Sequence, residues 1–74
     1  MKKSKPKILT GLGATIKKHR LKLGLSQEKL AEICELDRTY ISLVERGNRN
    51  LSFISLSKLA IGLKTTISLL TKGL

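Results

Sequence analysis

Between residues 38 and 50 the sequence gathers groups that donate hydrogen bonds or carry positive charge. At about 100° of helical rotation per residue, Arg38, Thr39, Ser42 and Arg46 fall on one side of a helix. Asn48, Arg49 and Asn50 follow directly. Guanidinium groups pair bidentately with guanine edges or phosphate oxygens, and hydroxyls and carboxamides bond to either. This is the chemistry of recognition. Bond-breaking chemistry would need other groups: a Ser-His-Asp set, paired carboxylates, clustered metal ligands or a Gly-rich phosphate loop. None is visible, so the expectation is no enzyme activity, no cofactor and no metal.

Such a face must be presented by a rigid element. The segment Gln27 to Gly47, QEKLAEICELDRTYISLVERG, reads as two short helices joined by a tight turn. The first spans Gln27 to Cys34 and the second Arg38 to Arg46. Ser26 and Asp37 occupy their N-cap positions, where a side-chain oxygen satisfies an orphan amide. Asp37 also places negative charge at the positive end of the helix dipole. Leu30, Ala31, Ile33 and Cys34 share one face of the first helix, and Ile41 and Val44 one face of the second. Two helices with buried inner faces and a cationic outer face make a helix-turn-helix, whose second helix can lie in a DNA major groove. Arg38, one residue past the capping Asp37, is placed to read guanine. Arg46, Asn48, Arg49 and Asn50 would run along the sugar-phosphate backbone. An ordinary exposed loop is the alternative for that run.

Three further helices complete the frame. The first spans Leu9 to Leu23, with Leu12, Ile16 and Leu23 inward and Lys17, Lys18 and Lys22 outward. Gly11 and Gly13 weaken its start by about 1 kcal/mol each relative to Ala, and Gly24 ends it. The fourth helix, Phe53 to Leu63, starts at Ser52 and turns Leu56, Leu59, Ala60 and Leu63 to the core. Ile54 and Ile61 project well away from that face, a second apolar stripe that a partner subunit could cover. Gly62 is either a weak point or a site of close approach. A short fifth helix, Thr66 to Lys72, carries Ile67, Leu69 and Leu70. Ile67 and Leu70 suit the core, which leaves Leu69 and Leu74 for an interface.

Composition bounds the partner. The 74 residues make one small domain, marginal alone and helped by oligomerisation. Fifteen Lys and Arg against five Asp and Glu give a net charge of +10, which suits nucleic acid first and an anionic membrane second. Tyr40 and Phe53 are the only aromatics, too few for a base-stacking single-strand or RNA binder. Cys34 stands alone, so no intrachain disulfide can form and a reducing cytosol fits. Its neighbours Glu32 and Glu35 are wrong for a reactive thiolate, so it reads as a small buried apolar residue. His19 lacks a ligand partner and reads as surface. No run is long enough to span a membrane, and the basic start lacks a signal-peptide core. The expected location is the bacterial cytoplasm, at the nucleoid. Residues 1–7, MKKSKPK, read as a basic flexible arm, either a phosphate or groove contact or a solubilising tail. Residues 8–74 read as the binding and dimerisation domain.

Leu23-Gly24-Leu25-Ser26-Gln27, then Leu30-Ala31, Ile41 and Glu45-Arg46-Gly47 resemble the helix-turn-helix family of phage Cro and repressor proteins and their XRE-type relatives. Leu36-Asp37-Arg38-Thr39-Tyr40-Ile41-Ser42, with Glu45-Arg46 and Arg49-Asn50, is similar to the controller proteins of bacterial restriction–modification systems. The resemblance implies an all-α, five-helix lambda-repressor-like DNA-binding domain. It implies a homodimer on a pseudopalindromic operator in the chain's own promoter, activating and self-repressing, with RNA polymerase as a further partner. By position, Gln27 would bind a phosphate, Arg38 and Thr39 would reach base edges, and Tyr40 and Ser42 would contact bases or backbone beside them. Leu43 stands where relatives often carry a polar base-reading residue, and its available contact is a thymine methyl. Arg20 and Glu45 match a buried ion pair between the first and third helices. Ile54, Ile61, Leu69 and Leu74 remain the expected dimer interface. The competing reading is an antitoxin-type or phage-repressor-type XRE regulator with a protein partner. A membrane-surface peptide ranks third, because the charges are scattered over short capped helices.

Overall fold

The computed structural model describes residues 6–74. Among them the chain forms helices and no strand. Helix α1 spans Lys7–Lys22, α2 Gln27–Cys34, α3 Arg38–Glu45, α4 Phe53–Gly62 and α5 Ile67–Leu70. Local capping sets where four of them begin. Ser26 accepts a hydrogen bond from the Lys29 amide at 2.9 Å, and Asp37 accepts one from the Thr39 amide at 2.9 Å. Ser52 accepts from the Ser55 amide at 3.0 Å, and Thr66 from the Leu69 amide at 3.1 Å. Pro6 precedes α1 without a side-chain cap. The arm expected over 1–7 lies outside the described residues except for Pro6 and Lys7, and Lys7 already belongs to α1. Helix α5 is shorter than expected, because Thr66 is its cap and Thr71 its end.

The core joins all five helices. Leu12 and Ile16 enter from α1, Leu30, Ala31 and Cys34 from α2, and Ile41 and Val44 from α3. Leu59 and Ala60 of α4, Leu63 just past it and Leu70 of α5 close the other side. Two expected core members stay outside. Leu23 is exposed, because α1 stops at Lys22 and the chain turns away through Gly24 at φ 71°. Ile33 is exposed because the buried arc of α2 is narrower than the apolar stripe, which leaves it at the rim beside α4.

Two glycines permit the closest helix contacts. A Cβ at Gly13 would collide with the Val44 carbonyl oxygen and lie 2.7 Å from that of Glu45. The residue that costs helix propensity thus lets α1 lie against the end of α3. A Cβ at Gly62 would run into the Cys34 sulfur, so α4 crosses α2 at that point. Burial pushes the Cys34 thiol above its ordinary pKa, with Lys58 pulling weakly the other way, which keeps it protonated and inert.

Candidate nucleic-acid interface

Helix α3 has two chemically opposed sides. Its inner side buries Ile41, Val44 and Glu45. At about 100° per residue, the direction opposite these three falls between Thr39, Leu43 and Arg46. Arg38 and Ser42 lie on one shoulder of that direction and Tyr40 on the other. Arg38, Thr39 and Arg46 are exposed, and Ser42 and Leu43 are half-buried. The fold therefore brings together the cationic and hydroxyl groups singled out by spacing, at the start and along the open side of one helix. The Thr39 amide is bonded to Asp37, and the Arg46 Nε donates to the Ser42 carbonyl at 3.3 Å.

What holds α3 at this angle is the one buried carboxylate. Arg20 Nε donates to Glu45 Oε2 at 2.6 Å, and Arg20 Nη2 to Glu45 Oε1 at 3.0 Å. The guanidinium spends a further donor on the Leu25 carbonyl at 2.8 Å, which fixes the α1–α2 turn. Gln27 Nε2 adds a third donor to Glu45 Oε1 at 3.0 Å. One carboxylate thus ties α1, the start of α2 and α3 together. The hydrogen bond to Glu45 raises the Arg20 pKa above its ordinary value, so this guanidinium keeps its charge. Among the described residues no buried side-chain polar atom lacks a partner. The ion pair expected from resemblance is present. The part played by Gln27 in supporting it was not expected, and no spacing rule would have found it.

Past α3, Asn48, Arg49 and Asn50 are all exposed. The Asn48 amide donates to the Leu43 carbonyl at 2.9 Å, and the chain reverses through Gly47 at φ 75°. The Arg49 guanidinium lies over the Tyr40 ring, 5.4 Å from its centre. Tyr40 is half-buried against the core, so it is a fixed platform for an exposed cation. This pairing of a helix residue with a loop residue was also not foreseen. Apart from Asp37 at the α3 cap, exposed negative charge lies elsewhere: Glu28, Glu32 and Glu35 are exposed on and just after α2, with Glu32 paired to Lys29 at 2.8 Å.

The residues expected at a subunit interface are all exposed, but Ile61 and Leu74 border different grooves. Ile54 and Ile61 project from α4 directly opposite its buried side, and Ile61 borders a cleft with Ile33 and Gly62. Leu74 packs over Gly11 and lines a separate groove with Ile8, Leu9 and Asn50. Leu69 is exposed on α5, and Phe53 and Ile8 add apolar surface that was not singled out. No helix among the described residues is long and apolar enough to cross a membrane. Among the same residues, no three His, Cys, Asp or Glu side chains group as metal ligands.

A family model described as helix-turn-helix matches residues 16–70, which takes in α2, α3 and all of the core but Leu12. The chain belongs to that family. Its relatives include controller proteins of restriction–modification systems. It is 48% identical over 57 residues to the control protein C.MunI from Mycoplasma sp, spanning 76% of this chain and 77% of the relative. The crystal structure of the controller protein C.AhdI from Aeromonas hydrophila superposes with a TM-score of 0.82 at 42% identity, covering 84% of this chain and 94% of that one. The controller protein C.Esp1396I, solved as a tetramer in complex with its natural 35 base-pair operator, has a TM-score of 0.79 at 43% identity, with 85% and 83% covered. The all-helical architecture is shared with both structures.

Proposed function

We propose that this helix-turn-helix protein is a sequence-specific regulator that binds duplex DNA as a homodimer and controls its own restriction–modification operon. The observation that carries the reading is the outer side of α3. It is cationic, it is exposed, and the Arg20–Glu45–Gln27 network holds it rigidly from behind. In this reading Arg38 donates bidentately to guanine, and Thr39, Tyr40 and Ser42 contact neighbouring bases or backbone. Gln27, Arg46, Asn48, Arg49 and Asn50 contact phosphates and fix the register. Arg49 reaches the backbone from its platform on Tyr40. Ile54, Ile61 and Leu69 lie at or near a two-fold axis, where α4 of one copy meets α4 of the other, and Leu74, in its separate groove, lies outside that contact.

A dimer of this kind works in the bacterial cytoplasm, at the nucleoid, and responds to its own concentration. Bound beside a promoter it would touch RNA polymerase and activate, and bound across one it would repress. The similarity to controller proteins favours this reading over an antitoxin with a toxin partner.

Selection of bound sites from random duplex DNA tests it. The expected winner is a pseudopalindrome with half-sites about 10–10.5 bp apart and two chains per site. Log affinity should fall with log salt by about 0.9 per phosphate neutralised. Absence of any enriched sequence would overturn the proposal.

A further inference from the structure

We propose that the groove between the start of α1, α4 and the C-terminal end of the chain docks an acidic amphipathic helix of another protein. This groove is separate from the open side of α3 and from the outer side of α4, and its use does not depend on the operon reading. It measures about 460 Å³, and six of its eight lining residues are aliphatic. Leu9, Leu12, Leu51 and Leu56 are the more buried members, while Ile8 and Leu74 keep 57% and 48% of their surface exposed. The Thr71 hydroxyl is spent on the Ile67 carbonyl at 2.8 Å, which leaves Asn50 as the polar side chain of the lining. An open apolar groove on so small a domain marks a place where another molecule can bury its own apolar surface.

The charge around the groove names the chemistry of that molecule. All five Asp and Glu of the sequence fall between 28 and 45. The segments that build the groove, 8–12, 50–56 and 71–74, all lie outside that range. Lys7 and Lys72 are exposed beside the lining residues Ile8 and Thr71, and the sequence before Pro6 brings three more lysines. Helix α1 begins here with no acidic residue in its first turn and no side-chain cap. The positive end of its dipole therefore lies beside the groove without a counter-charge from its own helix. An apolar occupant bordered by cations gains most if it carries carboxylates at its edges. A second copy meeting this groove with its own would set lysine against lysine, so the occupant is a different protein. A helix suits the open shape. Its aliphatic side chains at i, i+3, i+4 and i+7 form one ridge to fill the groove, and flanking Asp and Glu reach the lysines and the first turn of α1.

Selection from a displayed library of helix-forming peptides, against the full chain, provides the test. Excess duplex DNA is present throughout and removes peptides that merely imitate a polyanion. The enriched peptides should carry net negative charge and aliphatic residues at helical spacing. A synthetic copy of the winner should shift the NMR methyl signals of Ile8, Leu51, Leu56 and Leu74. It should bind about tenfold more weakly once its acidic residues are changed to glutamine or asparagine. Ile8→Glu removes an aliphatic wall and sets a like charge against the peptide, yet a carboxylate in the first turn of α1 suits the helix. The variant should melt as the unaltered chain does and bind the peptide about tenfold or more less tightly. Winners that are neutral or basic, or no winner at all, would overturn the proposal. So would methyl shifts confined to α3 or the outer side of α4, or an Ile8→Glu chain that binds the peptide as before. Should Ile8→Glu convert a dimer into a monomer, the groove belongs to a second copy and the proposal falls as well.

Discussion

Glu45 and Ile61 are opposite kinds of misfit. Glu45 is a charge with 8% of its surface exposed, and Ile61 is an aliphatic side chain with 77% exposed. The first is resolved within the chain, where three side-chain donors meet its two oxygens. The second is not resolved within the chain. It shares the outer side of α4 with Ile54, and no segment among the described residues covers that side. A misplaced group with internal partners belongs to the architecture. One without them belongs to an encounter with another molecule. The joint between α1 and α3 and the outer side of α4 therefore call for different tests.

The largest effect is expected at the joint. Glu45→Ala leaves the Arg20 guanidinium buried without its counter-charge, which costs about 3–5 kcal/mol. For a domain of this size that is most or all of the stability. Circular dichroism and thermal melting should show an unfolded or barely folded chain. The partner change, Arg20→Met with Glu45→Leu, should recover much of the loss, because replacing both members removes the uncompensated charge. Recovery would show that the pair is there for geometry, and a well-folded Glu45→Ala would show that it carries little load.

Ile61→Asp should behave in the opposite way. Ile61 already faces water, and Lys58, one turn earlier on α4, and Lys64, just past the helix end, line the same cleft and can accept the new carboxylate. Melting of the dilute protein should change by less than about 0.5 kcal/mol. Sedimentation should instead show a monomer, and operator affinity should fall about 100-fold or more as the second half-site contact is lost. A dimer of unchanged affinity would move the interface away from α4, towards the groove lined by Leu74 and Ile8.

Arg38→Ala sharpens the contrast from a third direction, since Arg38 is a charge that is both exposed and unburdened by the core. The fold should be unaffected. Discrimination at one base pair per half-site should drop by about 1–3 kcal/mol, read from a library randomised at each operator position. Unchanged preference everywhere would remove Arg38 from base reading.

The same contrast explains which features could be read from sequence. Ser26, Asp37 and Ser52 announce helix starts because a cap acts within three residues. The open side of α3 follows from phase alone, and phase needs only Ile41 and Val44. Ile33 looks like a core residue in sequence yet is exposed, because periodicity cannot separate the middle of a buried arc from its rim until the neighbouring helix is set. Gly13 reads as a weak point from sequence because its reason lies in the carbonyls of Val44 and Glu45, some thirty residues away. Gln27 reaches Glu45 across 18 residues, and Arg49 reaches Tyr40 by the path of a loop. Local chemistry is legible in one dimension. Contacts made by the tertiary path are not.

The smallest expected effect concerns a third kind of misfit, of backbone and not polarity. Helix α2 ends at Glu35, an exposed residue in the left-handed region at φ 56° and ψ 44°. A side chain costs about 1–2 kcal/mol there, because Cβ crowds the following carbonyl. The turn still needs this conformation: the Leu36 amide must swing back to the Ala31 carbonyl, which it reaches at 2.9 Å. Glu35→Gly relieves the crowding and adds about 0.4–1 kcal/mol of chain entropy to the unfolded state. The net gain is about 0.5–1 kcal/mol, seen as a Tm higher by about 2–8 °C. Operator affinity should change little, since Glu35 lies off the open side of α3. If the Tm fell instead, the Glu35 side chain would be making a contact that outweighs its strain. The turn would then join Glu45 as a misfit resolved from within.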